Sequence, residues 1–247
     1  MKSAAPAAFS RAKRIGLAGL ILAVVTAAAV RLHFGVDFTD EAFYATLPYR
    51  FVLGDRPYIS DLGVAQNAGI LTTPIVWIWT TLTGDGGGLI LFLRYAYLAL
   101  RVGLVALGVW ALWRRTPHGL AVAAPLLACS FVLFAIPTLS YNTIAASAVT
   151  AALFALMLWA ERGRLAFAIV AFACAAIAAY VHPGLALVAT AIVVSIVLRA
   201  PNASDRRAAM RALAGVGGVL AAVGILAATG LARISHNRYC KAAAPSG

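Results

Sequence analysis

The sequence predicts an all-α integral membrane protein, with about seven transmembrane helices and an outer loop that carries interfacial or re-entrant helices. Three observations predict it. Of 247 residues, 63% are hydrophobic and only 11% charged, whereas a soluble domain carries about 25% charged residues on its water-facing surface. The apolar residues fall in long runs without the period-2 alternation of strands, and hydrocarbon offers no water to satisfy a backbone that is not helical. The cations cluster between those runs: Lys2, Arg11, Lys13 and Arg14, then Arg114 and Arg115, then Arg162 and Arg164, then Arg199, Arg206, Arg207 and Arg211. This is the pattern of loops retained on the cytoplasmic side. The net charge of +12 therefore points to anionic lipid headgroups. Nucleic acid is excluded as a partner, since no soluble basic domain exists to hold it.

Taken in order, the chain divides into a basic cytoplasmic N-terminus (1–14), a first helix (15–34), an acidic outer loop (35–88), a helical bundle (89–232) and a polar tail (233–247). Ile15 to Phe34 is about 20 apolar residues, enough for one span. Its basic start and small-residue end also fit a secretory leader cleaved near Ala29. In the acidic loop, Asp37 or Thr39 can cap a helix whose first turn holds Asp40 and Glu41, the signs a helix N-terminus favours. Phe43, Leu47 and Phe51 recur at four-residue spacing, which suggests a helix lying in the membrane interface. Pro48 should kink or split it. Gly54-Asp55-Arg56-Pro57 reads as a turn. Ile70–Thr83 is short for a span, at about 14 residues, and the Gly84–Gly88 stretch breaks the chain. Leu89–Trp113, Leu120–Pro137, Thr143–Ala160, Leu165–Val181, Leu185–Leu198 and Leu213–Ala232 follow as apolar runs.

Parity decides the short segment. With the N-terminus inside, the acidic loop is outside, and Arg114 and Arg115 belong inside. One crossing, Leu89–Trp113, satisfies both, leaving Ile70–Thr83 interfacial or re-entrant. Tyr141-Asn142 and His182-Pro183-Gly184 then fall outside with the acidic loop, and the sequon at Asn202 falls inside. No internal repeat is visible, which weakens a transporter reading. Arginine far outnumbers lysine and alanine is abundant, a composition of high-GC bacteria and hence of a plasma membrane.

Five of the eight acidic residues lie in the outer loop: Asp37, Asp40, Glu41, Asp55 and Asp61. A carboxylate there can serve as a general base; equally, Asp40 and Glu41 can serve only the helix dipole. Adjacent residues point about 100° apart on a helix, so the two acids cannot face one reacting atom. Arg94 and Arg101 share one face of the Leu89–Trp113 run. An intramembrane arginine is paired or functional: each can bind a lipid phosphate, while Arg94 can instead snorkel and Arg101 can instead pair with a helix carbonyl or an acid. His182 can hold a phosphate when protonated, hydrogen-bond a sugar, or simply flank a turn. Tyr141 and Asn142 can bind substrate or cap a helix, and Gln66 and Asn67 can bind sugar hydroxyls or solvate the loop. Tyr44, Tyr49, Tyr58, Trp77 and Trp79 fit an aromatic belt or sugar stacking. Cys129, Cys174 and Cys240 show neither metal spacing nor a disulfide framework, so no metal site and no cofactor are expected.

The stretches DEAFYATLPYRFVLGDRPY, ILTTPIVWIW, LFLRYAYLAL and YVHPGLALV, in that order after a basic start and one span, resemble the C-type glycosyltransferases. The resemblance is to the branch of the protein O-mannosyltransferases and bacterial aminoarabinose transferases, and it covers roughly residues 15–198. It implies transfer of a sugar from a polyprenyl-phosphate donor to a hydroxyl acceptor (glycan, lipid or protein) on the outer face, with inversion. It places the catalytic base at Asp40, the family's Gly-Asp at Gly54-Asp55, the arginine opening the next span at Arg94 (or Arg101), and the donor-phosphate turn at His182-Pro183-Gly184. Glu41, Tyr44, Asp55, Gln66, Tyr141 and Asn142 join the substrate-binding set. The chain departs from the family where Thr72-Thr73-Pro74 replaces Lys-Pro-Pro, and where Tyr141-Asn142 replaces an acid. Members are usually considerably longer, so a compact member, a truncated product or half of an assembly with a protein partner is expected. The alternatives are a non-catalytic polyprenyl-lipid carrier and an accessory subunit of a larger transferase.

Overall fold

The computed structural model describes residues 11–35, 40–58, 65–130 and 136–199, with isolated positions at Arg207, Met210, Arg211 and Ala214. The expected caps Asp37 and Thr39, the sequon at Asn202, Cys240 and all but Ala214 of the Leu213–Ala232 run lie outside the described residues. Among the described residues every element is helical: α1 (Arg11–Arg31), α2 (Asp40–Leu53), α3 (Gln66–Thr83), α4 (Leu89–Leu112), α5 (His118–Ser130), α6 (Tyr141–Arg162), α7 (Leu165–Val181), a single 3-10 turn at Pro183–Leu185, and α8 (Ala186–Arg199). The protein is all-α, and two of these helices, Leu89–Leu112 and Tyr141–Arg162, are long and apolar enough to cross a membrane. The chain divides into two units, Met1–Gly35 and Val36–Gly247. The first contains α1, apolar from Ile15 onward; the second contains all the remaining helices.

In the second unit, α6 and α7 form an antiparallel pair around Gly163. Its φ of 66° suits glycine, and its N–H caps the Trp159 carbonyl at 2.8 Å. Ala152, Ala155, Ala168, Ala171 and Ala175 are all buried in the seam, closed on one side by Ile192 and Ile196 of α8. Small side chains let the helix backbones approach closely, the way packing is gained where burial from water drives little. Ser140 starts α6 with a reciprocal capping box, its hydroxyl accepting the Thr143 N–H at 3.2 Å while the Thr143 hydroxyl accepts the Ser140 N–H at 2.8 Å.

Helices α4 and α6 run parallel. Near their starts, Leu93 and Leu139 share one apolar cluster. Near their ends, the Arg162 guanidinium lies 4.6 Å from the Trp110 ring, and Arg115 donates to the Met157 carbonyl at 2.7 Å. The bundle therefore has a basic end, with Arg114, Arg115, Arg162 and Arg164, and an opposite end where α4 and α6 begin and α7 finishes. At that opposite end sit α2 and α3. Leu47 and Phe51 of α2 pack with Ile136 and Ile70, and Asn67 at the start of α3 donates to the Tyr180 carbonyl near the end of α7 at 2.5 Å. The other end of α3 lies beside the start of α4, where Trp79 stacks on Phe92 at 4.5 Å and donates to the Gly87 carbonyl. Helix α3 thus begins and finishes at the same end of the bundle.

Several elements differ from the sequence expectation. Helix α1 covers Arg11–Arg31 rather than 15–34, so it takes in basic residues assigned to the N-terminal segment. Helix α2 runs unbroken through Pro48 rather than splitting there, since proline removes only one interior N–H. Helix α3 starts four residues ahead of its apolar run, at Gln66. Helix α5 covers His118–Ser130, beginning before Leu120 and ending short of Pro137, with 131–135 outside the described residues. Helix α6 extends past its apolar run at both ends.

Candidate functional site

The first turn of α2 places two adjacent acids in opposite environments. Glu41 is 0% exposed and meets Arg94 of α4, itself 4% exposed, in a two-point ion pair. Nε donates to Oε1 at 2.6 Å and one terminal nitrogen donates to Oε2 at 2.5 Å. This fork-on-fork geometry is the strong form of the interaction. It also turns the guanidinium inward, onto Glu41. Asp40, one residue earlier, is exposed. The divergence of the two side chains follows from helical geometry, about 100° per residue, with Glu41, Tyr44, Leu47, Pro48 and Phe51 buried together along one face.

From Asp40 a line of rings crosses the end of the bundle. Tyr44 of α2 faces Tyr141 at the start of α6, their rings 5.8 Å apart and tilted by 57°. Burial, and then the neighbouring Tyr141 and Asp40, raise the Tyr44 phenol above its ordinary pKa, so at neutral pH it stays protonated. The Tyr141 ring lies 5.7 Å from the His182 imidazole, tilted by 31°. His182 ends α7 in an extended conformation, φ −132°. Its Nδ1 is buried, with no hydrogen-bond partner among the described residues. Asn142 follows Tyr141 in the first turn of α6, half-buried. Of the residues expected in a site, Asp40, Tyr44, Tyr141, Asn142 and His182 are thus brought to one end of the bundle, with Glu41 and Arg94 behind them.

Three further candidates are engaged elsewhere. Asp55 follows the C-terminus of α2, roughly 20 Å along the helix from Asp40 at 1.5 Å per residue. There it pairs with Arg50 at 2.5 Å, and its N–H bonds the Arg50 carbonyl. Arg101 lies two turns deeper in α4 than Arg94. Its Nε donates to the Cys129 carbonyl at 2.7 Å and a terminal nitrogen reaches the Ala128 carbonyl at 3.3 Å. Both carbonyls belong to α5, so Arg101 ties α4 to α5. Gln66, 1% exposed, accepts the Tyr58 N–H at 2.5 Å. Asn67 joins it by accepting the Tyr58 hydroxyl while donating to Tyr180. Together these bonds hold Tyr58 at φ 61°, the left-handed region that a bulky residue rarely adopts. This Tyr58–Asn67–Tyr180 clasp is invisible to helical periodicity; the only sequence signal was a pair of amides at the head of an apolar helix.

Among the described residues, no three His, Cys, Asp or Glu side chains converge as a metal ion would require. The chain was compared with protein families, curated proteins and solved structures, and none of them matches.

Proposed function

We propose that this chain is a multi-pass membrane glycosyltransferase that moves a sugar from a polyprenyl-phosphate donor to a hydroxyl acceptor on the outer face. The observation that carries the reading is the division of the two adjacent acids. Glu41 is enclosed with Arg94, while Asp40 is exposed beside the Tyr44–Tyr141–His182 line. The carboxylate of Glu41 is enclosed by protein, and that of Asp40 can be reached from outside it.

In this reading the Asp40 carboxylate takes the proton of the acceptor hydroxyl. The freed oxygen attacks the anomeric carbon, the bond from that carbon to the phosphate oxygen breaks, and the configuration inverts. The phosphate leaves as an anion on its lipid. His182 is assigned to face it, donating a hydrogen bond from its imidazole. Arg94, whose fork is turned onto Glu41, is reassigned from holding the phosphate to positioning α2. Tyr141 and Asn142, at the same end of the bundle, are assigned to the substrate. Seven spans with a cytoplasmic N-terminus put α2, α3 and the ends of α6 and α7 on the outer side, and the arginines of the bundle's basic end on the inner side, in accord with charge.

The test is release of polyprenyl phosphate from a panel of labelled lipid-phosphate sugars by protein in vesicles. Wild type is compared with Asp40→Asn after both are shown to be folded. Release by wild type and none by the variant is expected. Equal release removes Asp40 from the mechanism, and no release by either favours the carrier or subunit reading.

A further inference from the structure

We infer that the outer face of α3 is a lipid-contact surface that lies shallowly in the outer leaflet. Gln66–Thr83 contains no charged residue. One side of it is packed against protein, through Ala68, Gly69, Thr72 and Val76. The other side presents Trp77, Ile78 and Leu82, which are 58%, 49% and 79% exposed. At about 100° per residue Ile78 and Leu82 fall about 40° apart on one stripe, with Trp77 at the border of the exposed face. A face of this kind turned to water would carry charges; this one carries a tryptophan, an isoleucine and a leucine.

The polar atoms of α3 agree. Its five threonines each turn the hydroxyl back onto the helix: Thr72 to Ala68, Thr73 to Gly69, Thr80 and Thr81 to Trp77, and Thr83 to Trp79, all at 2.7–3.0 Å. Each donor is satisfied without water, the condition for residing in hydrocarbon. The helix end is closed in the same way, the Gly84 N–H bonding the Thr80 carbonyl at 2.9 Å. Shallow placement follows from topology, because α3 begins beside the end of α7 and finishes beside the start of α4, both at one end of the bundle. The occupant of the stripe is therefore acyl chain near the headgroups, and neither water nor a second polypeptide.

The inference rests on the membrane placement proposed above and not on the transferase chemistry. Its test is spin labelling of Leu82→Cys and Ile78→Cys, in the full chain with native cysteines replaced and reconstituted in phosphatidylcholine vesicles. Val102→Cys, on the exposed side of α4, is the deep reference. Collision with oxygen exceeding collision with a water-soluble nickel chelate at both α3 sites, at a depth shallower than Val102, is expected. Higher nickel collision places the stripe in water and overturns the inference. Low collision with both reagents means a protein covers it, which also overturns it, as does a depth equal to that of Val102. If Val102 itself collides chiefly with nickel, the membrane placement fails first. Because both α3 side chains are exposed, neither substitution touches the packed core, and agreement between the two sites guards against a local artefact.

Discussion

Removing one partner of the Glu41–Arg94 pair gives the sharpest test of how α2 is held. Glu41 is 0% exposed and the Arg94 guanidinium is 2.5–2.6 Å from its two oxygens. Arg94→Gln leaves that carboxylate enclosed and uncompensated, a change worth about 3–5 kcal/mol. In a chain of this size each kcal/mol moves Tm by about 2–4 °C, so a fall of roughly 6–20 °C is expected. Glu41→Gln should do comparable damage by stranding the guanidinium. The apolar double variant Glu41→Leu/Arg94→Met removes both charges and should recover most of the loss, since well-packed apolar replacements of buried pairs are often neutral. The assay follows from the protein's own thiols: Cys129 is buried and Cys174 half-buried, so a thiol-reactive dye reports unfolding in detergent. Additive losses in the double variant would refute the coupling, as would single variants melting within a few degrees of wild type. The same variants report on positioning. If the pair sets the register of Asp40, the recovered double variant remains slow in donor turnover.

Asp40→Asn is expected to abolish polyprenyl-phosphate release without lowering Tm, because the side chain is exposed. Asp55→Asn should change neither much: its pair with Arg50 is partly solvated and worth under about 1 kcal/mol after screening, and activity lost as fully as in Asp40→Asn would return Asp55 to the site. Gly108→Ala should destabilise by about 1–3 kcal/mol, since the added methyl would come within 2.7 Å of the Phe154 ring and 2.8 Å of Pro125 Cβ; a melting temperature equal to wild type would show that the α4–α5–α6 crossing can relax.

The helical class, the end of α7 at Val181 and the glycine break before α4 were readable because each depends on local signals: apolar runs, glycine freedom and the His-Pro-Gly stop. The divergence of Asp40 and Glu41 was readable too, from angular spacing alone. What Glu41 touches was not. Its partner lies 53 residues away, and pattern reading offered Arg94 only a phosphate or the surface. For Arg101 the sequence left a helix carbonyl open as one partner, and Cys129 of α5 supplies it. Helix α3 began earlier than its apolar run because Gln66 and Asn67 find tertiary partners in Tyr58 and Tyr180. Polar side chains start a helix at a cost that only such long-range bonds offset.

The 53-residue separation of Glu41 and Arg94 also orders events during synthesis. At 5–20 residues per second, the acid is made roughly 3–10 s before its cation. An ionised carboxylate has no tolerable place in a dry interior over that interval. Helix α2 therefore docks onto α4 only after α4 has been made. The end of the bundle that carries Asp40 is assembled from a segment translated early and seated late.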